Sequence, residues 1–145
     1  DLLPGAEVEP PAGDGEDGDE ILENLVSIAR KENIRAGIVY LGVGIKEAAI
    51  VVGPMQDVFP PEPTWREIRD SHETMGIGTI FWEGNEPKIH FQCTYGKWDN
   101  VIKGCLSGTD TTFVVMEAVI MEMKGIRAIR DLDPETGMVL LKLLS

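Results

Sequence analysis

Only one stretch of this chain carries a helical period. Ile21, Leu22, Leu25, Ile28 and Ala29 recur at i, i+1, i+4, i+7 and i+8, so residues 19–33 predict an amphipathic helix with a single apolar stripe. Asp19 reads as the N-cap, and Glu20 and Glu23 suit the positive end of the helix dipole. Arg30 and Lys31 suit the other end, and Asn33 reads as the residue just past it. The rest of the chain breaks into apolar, β-branched runs divided by glycine, proline and asparagine. A lone helix of this kind must bury its stripe against a sheet.

The runs fall at residues 36–41, 47–52, 76–82, 88–95, 101–106 and 111–123, with a last hairpin of 126–130 and 138–144 around Pro134-Glu135-Thr136-Gly137. Residues 111–123 are apolar at every phase, and their β-branched content decides for a strand. Gly42-Val43-Gly44 reads as a bulge or tight turn, because no helix follows it as a phosphate cradle requires. Residues 54–71 hold Pro54, Pro60, Pro61 and Pro63, which predicts a long loop with one helical turn at 65–68, able to line a cleft or seal a subunit interface. Residues 107–110 read as a turn. The expectation is an α+β fold of one main helix and about seven strands, and the short connections make the pairing mainly antiparallel.

At 145 residues with 43% hydrophobic content, the chain can bury one ordinary core. No apolar run reaches the roughly 18 residues of a membrane span. The net charge of −12 is unevenly placed: residues 1–23 hold nine acids and no base, leaving 16 acids against 13 bases in the remainder. Residues 1–17 therefore read as an acidic flexible arm with a short strand near 6–8, and residues 18–145 as the domain. The domain is only mildly acidic but has no basic run to serve as a nucleic-acid footprint. Two cysteines make no disulfide framework, no signal-peptide pattern is visible, and a reduced, cytoplasmic setting is expected.

Walker A, G-x-S-x-G and H-E-x-x-H signatures are absent, and no G-x-G-x-x-G directly follows a strand. The residues that can ligate a metal are His72, His90, Cys93 and Cys105. Strand alternation puts His90 and Gln92 on one face and Cys93 on the other, whereas Cys105 on the next strand can come opposite His90. A His72, His90 and Cys105 cluster would suit zinc or another divalent transition metal, with Glu73 as general base if the protein is an enzyme. The plainer reading is a hydrogen-bonded histidine and two inert cysteines. Trp65, Trp82 and Trp98 read as core or interface anchors, and Arg127 and Arg130 as a solvated edge.

Six segments then form an ordered pattern: Gly18-Asp19-Glu20-Ile21-Leu22, Asn33-Ile34-Arg35-Ala36-Gly37-Ile38, Gly78-Thr79-Ile80, Ile89-His90-Phe91, Lys103-Gly104-Cys105-Leu106 and Val119-Ile120-Met121-Glu122-Met123. Together they resemble the plants-and-prokaryotes conserved (PPC) domain over roughly residues 18–144. The chain looks like a prokaryotic stand-alone member of that family. The resemblance implies a curved, mainly antiparallel sheet with a helix, similar to acetolactate decarboxylase, and assembly as a homotrimer. Many prokaryotic members look like His-x-His on one strand followed by Gly-His or Gly-Cys on the next. His90 matches the first histidine, Gln92 replaces the second, and Cys105 follows Gly104, so only part of that metal set survives. The AT-hook that accompanies the domain in plants is absent.

The resulting expectation is a homotrimeric binding or regulatory module, linked to DNA or to transcription through a protein partner, with no membrane association. The alternative is a metal-dependent enzyme acting on a small polar substrate through a degenerate His/Cys site.

Overall fold

In the computed structural model, which describes residues 6–8 and 20–145, the apolar stripe forms helix α1 (Ile21–Lys31). Ile21, Leu25 and Ala29 are buried on one face, with Leu22 and Ile28 packed beside them. Asn33 ends the helix as expected. Its left-handed backbone, φ 52°, lets its N–H donate to Arg30 O at 3.2 Å and directs the Ile34 N–H to Ala29 O at 2.9 Å. This pair of bonds is a Schellman closure.

The start of the helix differs from expectation. Asp19 lies outside the described residues, and the cap position falls on Glu20, whose side chain makes no capping bond. The cap comes from Asp110 instead, 89 residues away in sequence, whose buried carboxylate accepts the Ile21 N–H at 2.7 Å and the Leu22 N–H at 3.4 Å. Helix N-termini leave such N–H groups without intrahelical partners, so a carboxylate held there by the sheet satisfies them.

The other described elements are strands: β1 (Ala6–Val8), β2 (Ala36–Pro54), β3 (Pro63–Ile68), β4 (His72–Glu83), β5 (Glu86–Lys97), β6 (Asn100–Glu122), β7 (Ala128–Asp133) and β8 (Met138–Leu143). Every pairing is antiparallel, as the short connections predict. The large sheet runs β1-β6-β5-β4-β2-β3, and β6 pairs with β2 as well, so the sheet curls back on itself. Its inner face carries Val39, Ile45, Ile80, Phe91, Tyr95 and Ile120 against α1. The hairpin β7–β8 stands as a separate ribbon.

Three local expectations change. Gly42-Val43-Gly44 does not interrupt β2, although the register against β6 does shift between Val43 and Gly44, as a bulge requires. Residues 107–110 are not a turn. β6 continues through them, and the interval Ala48 to Ile50 on β2 faces the longer interval Leu106 to Asp110 on β6. The turn-type residues make a bulge that aims Asp110 inward. Residues 65–68 are not helical but belong to β3, which pairs with the tail of β2 and satisfies an edge that would otherwise lack backbone partners. The short strand expected near residues 6–8 is present and pairs Ala6 with Ile120; the remainder of the expected acidic arm lies outside the described residues.

Candidate functional site

The sheet register sorts the outward-facing residues into rows. One row runs Val119, Tyr40, Ile77, Gln92, Cys105; the next runs Glu117, Gly42, Met75, Thr94, Lys103. Tyr40, Met75, Ile77 and Val119 are all exposed, so the β6, β2 and β4 end of these rows is an open apolar surface. The β5–β6 end is polar. There the neighbouring row places His90 opposite Thr79.

Three polar side chains meet at that end. His90 Nε2 lies 3.4 Å from Cys105 Sγ, and Gln92 Nε2 lies 3.0 Å from the same sulfur and 3.5 Å from His90 Nε2. Gly104 permits this approach of β6 to β2, since a Cβ there would sit 2.8 Å from Val51 O. Partial burial, and then the Arg130 charge, hold the His90 imidazole below its ordinary pKa. Arg130 is not the solvated residue expected from sequence. It is half-buried, donates from Nη2 to Thr79 Oγ1 at 3.0 Å and lies over the Phe81 ring. Its own pKa is lowered, chiefly by that burial.

The cluster opens into a cavity of about 590 Å³. His90, Gln92, Lys103 and Cys105 form one part of its lining, the end of β2 at Val51–Pro54 another, and Val58, Phe59 and Pro61 of the proline-rich loop a third. Met138 at the start of β8 completes it. The loop thus lines a cleft, one of the two roles expected for it.

The metal expectation meets the structure in part. His90 and Cys105 come together. His72 does not join them: it lies at the opposite end of β4, seven residues before the Thr79 that faces His90, or roughly 23 Å along the strand. There its Nδ1 faces Asp70 O at 2.9 Å. Glu73 is exposed beside it, equally remote. Cys93 faces the core, where burial pushes its thiol up to about 11. Among the described residues no three His, Cys, Asp or Glu side chains gather. A catalytic zinc usually keeps three protein ligands, so the two donors held by one chain do not fit that group unaided. Sequence reasoning missed the cavity's apolar walls and Lys103; alternation along β6 was the available signal for the lysine.

The tryptophans divide. Trp82 is a core anchor, donating from Nε1 to Ile34 O at 2.6 Å under the Arg35 guanidinium, whereas Trp65 and Trp98 are exposed. No helix among the described residues is long and apolar enough to cross a membrane.

Among the described residues, one helix, an antiparallel sheet that curls back on itself and a polar cluster at the β5–β6 seam define a class, and sequence comparison agrees with it. The profile of the Plants and Prokaryotes Conserved (PCC) domain, the family written PPC above, matches residues 13–124, and the chain belongs to that family. A PPC protein from Pyrococcus horikoshii is 21% identical, with a TM-score of 0.80 over 100% of this chain and 95% of its own. A metal-containing protein from Archaeoglobus fulgidus is 17% identical, with a TM-score of 0.79 over 100% of this chain and 96% of its own. A Ralstonia eutropha protein described as a candidate DNA-binding protein is 25% identical, with a TM-score of 0.71 over 95% of this chain and 96% of its own. A search of curated protein sequences returns no match.

Proposed function

We propose that this chain acts in the cytoplasm as a homotrimeric binding and regulatory module, linked to DNA through a protein partner rather than through a surface of its own. The observation that carries this reading is the open apolar surface of Tyr40, Met75, Ile77 and Val119. Contiguous exposed apolar surface on a sheet face marks an association site. A second and third copy are the occupants favoured, because the family resemblance implies three subunits. The DNA link draws on the description of the Ralstonia relative. Its indirectness draws on the residues from 24 onward, with 16 acids against 13 bases. The test is light scattering coupled to size exclusion on Ile77→Glu and Met75→Glu. Each buried charge should shift the parent oligomer towards monomer while circular dichroism stays unchanged. Variants that retain the parent mass would refute this face as the interface.

A metal-dependent enzyme acting on a small polar substrate is the second reading; the 3.4 Å contact between His90 and Cys105 favours it, and zinc or another divalent ion held there would need at least one further ligand. Elemental analysis of the parent beside His90→Ala and Cys105→Ala separates the two. Near one metal per chain, lost in both variants, supports the enzyme or a metal sensor, and absence of metal removes it.

A further inference from the structure

The cavity beside His90 combines an apolar wall with a polar end. Its walls are apolar, supplied by Val51, Val58, Phe59 and Met138. Its polar end carries the Lys103 ammonium, the Gln92 amide and the His90 imidazole. At about 590 Å³ it falls within the range of small-molecule sites, which are largely apolar with a few placed polar groups.

Charge selects among ligands. Lys97 and Lys142 each pair with an aspartate, Asp70 and Asp131 respectively. Lys103 has no such partner among the described residues, in a chain whose net charge is −12. The one acid of the lining, Asp57, is an exposed residue of the proline-rich loop. A single free ammonium with the Gln92 amide beside it suits one negative charge. A doubly charged phosphate would call for a second Lys or Arg or a helix N-terminus, and the lining offers neither.

We propose that this cavity binds a small amphipathic monoanion, a carboxylate on an apolar body, with the carboxylate at Lys103 and Gln92 and the body along Phe59, Val58 and Met138. The inference deepens the reading of the chain as a binding module and does not depend on the number of subunits.

Isothermal titration calorimetry with octanoate, octan-1-ol and octylamine tests it. Octanoate should bind more tightly than octan-1-ol, and octylamine least. Lys103→Met should weaken octanoate by about tenfold or more, the loss of one charge-assisted bond, and leave octan-1-ol unchanged. Lys103→Arg should retain octanoate binding. Phe59→Ala should weaken octanoate and octan-1-ol alike. Lys103 and Phe59 are both exposed, so the variants are expected to fold, with circular dichroism as the check. Octylamine binding as tightly as octanoate, Lys103→Met leaving octanoate affinity intact, or no heat with octanoate at millimolar concentration would each overturn the proposal. Failure of trimer assembly with octanoate binding intact would overturn only the subunit reading.

Discussion

Asp110 carries two opposed demands. Its carboxylate closes the N-terminus of α1 through the Ile21 and Leu22 amides, yet it is 2% exposed. Burial raises its pKa above the ordinary carboxylate value and the two amide bonds only partly offset that. Asp110→Ala leaves the buried Ile21 N–H and the part-buried Leu22 N–H unpaired and should cost about 1–3 kcal/mol in urea denaturation. Asp110→Asn keeps an acceptor for Ile21 and should cost less. The sign of the pH effect follows from the raised pKa. The folded state holds this proton more tightly than the unfolded chain, so stability relative to Asp110→Asn is greatest below the ordinary carboxylate pKa and falls as pH rises through the raised one. A stability difference that instead grows with pH over that window would contradict this assignment. None of this was legible locally: Ser107-Gly108-Thr109-Asp110 has turn chemistry, and its partner lies 89 residues away.

At the scale of elements, the packing of β4 on β5 rests on small residues opposite large ones. Gly78 faces Phe91, and a Cβ at Gly78 would lie 2.6 Å from the Phe91 ring. Phe91 is fully buried, so its ring has no free space to retreat into. Gly78→Ala should therefore cost about 1–3 kcal/mol by overpacking. Adding Phe91→Leu should recover part of that cost in a double-mutant cycle, and strict additivity would contradict the contact. The helix, its Asn33 terminus, the two hairpins and the antiparallel pairing were legible because each is signalled by residues close in sequence. The continuity of β2 and β6 was not. Both strands bend through bulges and each serves three neighbours, and Gly42-Val43-Gly44 and Ser107–Asp110 look locally like breaks. In the site, alternation alone brought His90 and Gln92 to one face and Cys105 within reach. The failure of His72 to join them depended on register, and the cavity's apolar walls come from a loop without periodicity.

For the whole molecule, an acidic chain without a basic stripe should bind duplex DNA weakly. Fluorescence anisotropy at physiological salt should give only the non-specific range, roughly 10⁻⁴–10⁻⁶ M or weaker, with no preference among sequences. Tight, sequence-selective binding by the protein alone would refute the indirect link. The proposed self-association uses the sheet face that carries Tyr40, Met75, Ile77 and Val119. Sedimentation equilibrium of the parent protein at micromolar concentration tests it most directly. The mass should be about three times that of the 15.9 kDa chain. A species at the mass of one chain across the whole concentration range would contradict it.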